Sequence, residues 1–186
     1  MILPVVAYGD PVLKKDCEDF TAEELQNIQE LVDNMYETMY NANGVGLAGP
    51  QIGIAKRIFV IDSVPMFDEG EESKGVKKVF INAEIIEEWG EEWGMEEGCL
   101  SIPGIRGEVF RPDNLKIRYL DEKGQEHIEE YDDMNARVIQ HEYDHIEGIL
   151  FTDLLSPLKK RMIKGKLANI SKGKVPHEYK MRFPKA

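Results

Sequence analysis

The sequence predicts an α+β domain, with antiparallel or mixed sheets packed around a central helix that carries an H-E-x-x-H motif. One helix precedes the strands and one follows the motif. Three observations lead there. Apolar residues recur at helical spacing in only three segments. Between the first two lie short, alternating apolar stretches set off by glycines and turn residues. No strand–helix–strand repeat occurs, so a doubly wound parallel sheet is not indicated. A length of 186 residues fits one domain spanning 1–186.

The first helix is expected from about Thr21 to Asn41. Thr21-Ala22-Glu23-Glu24 has the form of a capping box, and Leu25, Ile28, Leu31, Val32, Met35, Tyr36 and Met39 then follow at helical spacing. Gly44 to Gly53 is a glycine-rich loop, and Arg57–Asp62 reads as a strand. Residues 63–76 are polar, carry two glycines and read as a mobile surface loop. Lys77–Asn82 and Ile85–Met95 read as separate strands, with Gly90 and Gly94 marking a turn or bulge. Leu100–Ile102 and Arg106–Arg111 read as extended. Leu115, Ile117 and Tyr119 alternate with polar residues, and the turn at Asp121–Gly124 returns the chain through Gln125–Tyr131. The second helix runs from about Met134 to Glu147, with Asp132 or Asp133 to cap it and Gly148 to end it. Ser156 and Pro157 start the third.

Composition narrows the function. The chain is 42% hydrophobic and 31% charged, ordinary for a globular protein. No apolar run is long enough to span a membrane. The N-terminus lacks the basic region and cleavage site of a secretory signal, so the cytoplasm is expected. Two cysteines, Cys17 and Cys99, make no disulfide framework. The net charge of −12 is uneven: residues 156–186 carry ten Lys/Arg and one acid, whereas the rest holds 13 basic and 34 acidic residues. The acidic body argues against DNA as a partner. The basic helix and tail at 156–186 read either as a solvated surface or as a contact for RNA.

The chemistry concentrates in His141-Glu142-Tyr143-Asp144-His145. Histidines four apart lie on one helix face and can reach one metal ion, with the glutamate placed to move protons for a water. Val138 shares that face, so it points inward. A hydrolytic site needs a third protein ligand. The longer motif H-E-x-x-H-x-x-G-x-x-H matches through Gly148 but ends on Phe151. Glu147 points to another face, and Asp153 and Glu178 are poorly placed. Cys99, in Glu97-Gly98-Cys99-Leu100-Ser101, offers a soft thiolate, although a lone cysteine is more often a small buried apolar group. Gly44-x-Gly46-x-x-Gly49 fits the dinucleotide fingerprint in letters only. It follows a helix and precedes a strand, and Pro50 interrupts it.

Taken together, Gly44-Val45-Gly46-Leu47-Ala48-Gly49-Pro50-Gln51, Glu97-Gly98-Cys99-Leu100-Ser101 and Gln140-His141-Glu142-Tyr143-Asp144-His145 resemble the peptide deformylases. Order and spacing agree, over almost the whole chain. Gly49 stands where many family members have alanine, and the loop at 63–76 is longer and more acidic than in short members. The resemblance implies an enzyme that removes the formyl group from the formyl-methionine of newly made proteins. It implies one divalent ion on Cys99, His141 and His145, ferrous iron first and zinc, nickel or cobalt as alternatives. Glu142 would be the proton carrier, and the Gln51 side-chain amide and the Leu100 N–H would stabilise the oxyanion. Val45, Gly46 and Gly98 would hydrogen-bond an extended peptide by strand addition. Val45, Met95, Met134 and Val138 would line the methionine pocket, Arg106 would sit near its mouth, and Glu97, on the substrate side, would pair with Arg111.

Two competitors stand beside this reading. One is a zinc metallopeptidase cutting internal bonds, which the upstream cysteine opposes. The other is a non-catalytic metal or redox module, which needs neither Glu142 nor Gln51. From charge alone the basic helix and tail read as a solvated lysine-rich helix with a frayed end, with docking to ribosomal RNA as the alternative. His127 is expected to be exposed, and Trp89 and Trp93 to share a face and pack.

Overall fold

Five strands, β2 (Gly46–Ala48), β3 (Ile58–Asp62), β4 (Lys77–Cys99), β5 (Ile102–Leu120) and β6 (Glu126–Asp132), form one sheet in that order, every neighbouring pair antiparallel. The computed structural model describes residues 1–185. In chain order it holds β1 (Val5–Val6), α1 (Ala22–Leu25), α2 (Ile28–Asn41), β2 (Gly46–Ala48), β3 (Ile58–Asp62) and β4 (Lys77–Cys99). Then follow β5 (Ile102–Leu120), β6 (Glu126–Asp132), α3 (Asp133–Ile146), α4 (Pro157–Ser171) and β7 (Met181–Arg182). The α+β class holds, with helices at both ends and the H-E-x-x-H helix inside.

The two faces of β3 explain the layering. Ile58 and Val60 point to one side, where they meet Val32, Met35 and Met39 of α2. Phe59 and Ile61 point to the other, where they meet Ala136, Ile139 and Ile146 of α3. The period-two alternation of a strand, buried on both sides, produces this apolar run. β3 is therefore sandwiched between α2 and α3. A third cluster gathers Ile102, Ile105 and Val109 with Leu150, Phe151 and Ile163.

Four expectations change. The first helix is two helices. The capping box at Thr21 and Glu24 is present, but Asn27 leaves helical geometry and α2 begins at Ile28. The separate strands between 77 and 119 are two long ones. β-bulges near Ile81, Ile85 and Trp89 absorb the irregularity instead of ending the strand. Gly90, at φ +92°, sits in one of them, where an added Cβ would lie 1.8 Å from the Asp113 carboxylate. That bulge also divides Trp89 from Trp93: Trp93 instead carries the Arg137 guanidinium over its ring at 4.4 Å. Residues 63–76 contain two 3-10 turns and are tied back by Val76 N–H to Ser63 Oγ and by Asn135 Nδ2 to the Lys74 carbonyl.

Smaller corrections follow. Asp132 takes the cap position of α3, but its side chain makes no capping bond. His127 is half-buried, 2.7 Å from Asp121 and stacked on Tyr119. The tail is not simply a frayed end: β7 pairs in parallel with β1.

Candidate metal centre

α3 delivers two of the three groups that meet at one place. His141 and His145, one turn apart, set their rings 5.2 Å apart at 74°. Cys99 arrives from the end of β4. One ligand atom from each of Cys99, His141 and His145 lies within 4.8 Å of the others, and Cys99 Sγ is 3.5 Å from His145 Nε2. Ligands ~2.0–2.3 Å from a tetrahedral ion sit roughly 3.5 Å from one another. One thiolate and two imidazoles therefore fit a soft or borderline divalent ion in both spacing and chemistry. The lining carries a further sign: Glu142 Oε2 is buried with no hydrogen-bond partner.

Behind His141 the polar groups form a network in which, among the described residues, only Arg137 Nε is buried without a partner. The His141 Nδ1 meets Glu97 Oε1 at 2.8 Å, which leaves Nε2 for the centre. Glu97 also accepts two bonds from Arg111, at 2.7 and 2.9 Å, and one from Arg137 at 2.9 Å. Arg111 reaches on to Asp144 at 2.7 Å, and Arg137 to the carbonyls of Val109 and Trp93. Burial works against the Glu97 charge, but His141 and Arg111 hold its carboxyl far below the usual carboxylate range. Burial likewise lowers His141, yet Cys99 and Glu97 lift it well above the usual range. Burial, then the His141 charge, keeps His145 well below it. The Glu97 side chain is thus taken up bracing His141, and Arg111 is the partner anticipated from the sequence.

Glu142 lies on the other side. Its carboxylate is 4 % exposed, and Oε1 is 4.0 Å from His141 Nε2. Burial, partly offset by the His141 charge, pushes it up to about 7. A carboxyl poised there takes and returns a proton near neutral pH. Gly46 makes the approach possible, because a Cβ on it would lie 2.5 Å from Glu142 Oε1.

Gln51 is buried, and its amide is oriented by its neighbours. Oε1 accepts from the Ala48 N–H at 3.0 Å, so Nε2 faces Cys99 Sγ at 3.3 Å and Ser101 Oγ at 3.2 Å. Leu100 follows Cys99 directly, half-buried, with its carbonyl accepting from the Tyr179 hydroxyl at 2.6 Å. Burial, then Cys99, push that phenol up to about 12, so it remains a donor.

β2, with Val45 just before it, is an edge of the sheet, and β3 covers β4 only from Lys77 to Ile81. The stretch of β4 holding Met95 and Gly98 therefore pairs on one side alone, with β5. Val45 and Val138 share an apolar cluster, while Met95 and Met134 are half-buried. Arg106 is exposed and lies over its ladder partner Gly98, where an added Cβ would be 3.0 Å from its Nη1. Two clefts of about 350 and 510 Å³ open elsewhere, beside Trp89 and beside Tyr36, and include none of these residues.

Arg137, Asp144, Ser101 and Tyr179 were not anticipated. Arg137 had a signal, since it stands one turn before His141 on α3. Tyr179 had none, being 79 residues from the carbonyl it holds.

The chain resembles known proteins over its length. A family model described as Polypeptide deformylase matches residues 2–161. A peptide deformylase of Christiangramia forsetii is 58% identical, covering 100% of this chain and 98% of that protein. One of Cytophaga hutchinsonii is 59% identical, covering 99% and 98%. Among solved structures, a plant peptide deformylase superposes with a TM-score of 0.82 at 33% identity, over 96% of each chain. The Thermus thermophilus peptide deformylase gives 0.82 at 34%, over 93% of this chain and 99% of that one.

Proposed function

The chain belongs to the polypeptide deformylase family, and on that premise we propose how its residues divide the work. It is a peptide deformylase, removing the N-formyl group from nascent polypeptides and releasing formate. One observation carries the assignment of roles. Three ligand atoms within 4.8 Å of one another stand beside a buried, unpartnered carboxylate oxygen on Glu142.

Cys99, His141 and His145 hold a divalent ion, which when bound supplies Lewis acidity and lowers the pKa of a nearby water. The soft thiolate and two imidazoles suit ferrous iron, and also admit zinc, nickel or cobalt. Metal analysis of protein purified without oxygen distinguishes them. Glu142 takes the proton from the attacking water as the oxygen bonds to the formyl carbon. It returns that proton to the amine nitrogen as the C–N bond breaks. The Gln51 Nε2 and the Leu100 N–H donate to the formyl oxygen as it gains charge. The formyl-methionine backbone pairs with the free edges at Val45–Gly46 and at Gly98. The methionine side chain sits against Val45, Met95, Met134 and Val138, and Arg106 meets the peptide beyond it. Glu97 acts from behind, through His141.

The test is formate release from a formyl-Met-Ala peptide. Wild type should release it, and a Glu142→Ala variant that retains metal should not. No release from iron- or nickel-loaded wild type would reject the assignment.

We also place a single catalytic domain, 1–186, in the cytoplasm, a reducing compartment that suits its two free cysteines. No helix is long and apolar enough to cross a membrane among the described residues. A second proposal is that α4 binds ribosomal RNA, with no DNA or membrane partner. Lys160, Arg161, Lys164 and Lys166 are exposed there, without an acidic partner among the described residues. Neutralising these four should abolish salt-sensitive ribosome binding while formate release from a short peptide persists.

A further inference from the structure

The connection from β4 to β5 carries Cys99, Leu100 and Ser101, and it is held from outside by both ends of the chain. The Tyr179 hydroxyl donates to the Leu100 carbonyl at 2.6 Å. The Tyr8 N–H donates to the Ser101 carbonyl at 2.9 Å. These anchors belong to one unit, because β1 and β7 pair: Val5 N–H bonds the Lys180 carbonyl and Ala7 N–H the Arg182 carbonyl, each at 2.9 Å. Met181 and Phe183 pack on the cluster of Ile102 and Phe151, which Cys99 borders. Tyr179 lies beyond residue 161, where the family model's match ends.

We propose that Tyr179 is a positioning residue for deformylation, its hydroxyl holding the Leu100 carbonyl so that the adjoining Leu100 N–H points at the developing oxyanion. The proposal rests on the role of Leu100 given above. The planar peptide leaves only two soft torsions at Leu100. Cys99 fixes one end of that residue, and Tyr179 fixes the carbonyl at the other, so the direction of the N–H is set. Ser101 is fixed in turn through Tyr8 and through the Gln51 bond to its hydroxyl at 3.2 Å. Both proposed oxyanion donors are thereby locked to one short segment. A donor of this kind acts only when it is oriented before charge develops. The strap that follows α4 is therefore a working part of the site.

The experiment is Tyr179→Phe in the full-length, metal-loaded enzyme, measured beside wild type on formyl-Met-Ala. The substitution removes one oxygen from a half-buried ring. We expect kcat to fall about tenfold, a fraction of the loss on removing a whole oxyanion donor. KM should stay within about twofold, with metal content and circular dichroism unchanged. A variant with wild-type kcat would overturn the proposal. So would a fall in kcat that comes with metal loss or altered circular dichroism, because Tyr179 would then be holding the thiolate or the fold. Wild type that releases no formate would overturn the underlying reading and this proposal with it. Active wild type beside a full-speed variant overturns this proposal alone.

Discussion

The two sides of His141 are built on opposite principles. Behind it, bonds of 2.7–2.9 Å tie both Glu97 oxygens to Arg111, Arg137 and, through Arg111, to Asp144, and only Arg137 Nε is left over. In front, Glu142 Oε2 is buried and partnerless. A saturated group can only hold its place, whereas an orphaned one is free to take up a proton, a ligand or a substrate. Burial costs both sides, but only behind the histidine do direct hydrogen bonds to the carboxylate offset it; in front the His141 charge offsets it in part. Structure and chemistry are thus separated by one imidazole ring.

Five variants put this contrast at risk. The front predicts that Glu142→Ala lowers kcat about a thousandfold. Because no bond to Oε2 is lost, melting temperature and metal content should hold. A large loss of stability would mean that Glu142 is structural after all.

The back predicts the reverse. Glu97→Ala leaves Arg111 and Arg137 buried without their carboxylate, at a cost of roughly 3–5 kcal/mol. It also frees His141 Nδ1, so metal affinity should fall about 10–100-fold. Denaturant unfolding and competition with a chelator measure the two effects. Glu97 also sets an acid limit. Its carboxyl is depressed in the fold, so its contribution is fully present above the unfolded carboxylate range. That contribution fades as pH falls through that range towards the depressed value. Wild type should lose stability there, and Glu97→Gln should flatten the slope.

Arg111→Ala leaves Arg137 and His141 on Glu97 and should cost less, about 3 kcal/mol, with reduced metal retention. Unchanged retention would reject the brace. The smallest effect is expected outside the site. Arg118 pairs with Glu84 on the open face of the sheet, both side chains exposed, and Arg118→Ala should cost less than about 1 kcal/mol with activity unchanged. If that loss matched Arg111→Ala, burial would not be what distinguishes the two networks.

The sequence announced local features well. Thr21 and Glu24 marked a helix start, and Ser156 with Pro157 marked another. His141, Glu142 and His145 form one face because a helix repeats every 3.6 residues. What was misjudged depended on distant partners. Asn82 read as the end of a strand, yet a neighbouring strand lets a bulge carry β4 onward; Gly90 read as a turn or bulge, and a bulge lies there. The tail read as a solvated end, yet β1 was waiting for it at the other terminus. Arg137 looked like an ordinary helix residue, yet its carboxylate lies 40 positions upstream.

The amino-acid order alone established the class of the fold, the helix with its two imidazoles, the acid between them and, through resemblance, the thiolate. Those follow from short-range periodicity, from side-chain chemistry and from motif order. It took the packed chain to settle which carboxylate would be saturated and which left alone, where the Gln51 amide points, and that the two ends of the chain grip the Leu100–Ser101 segment. Each of these is a contact between residues far apart in the chain. Local spacing sets which way a side chain leaves its own element, and the packing of that element against others sets what it meets.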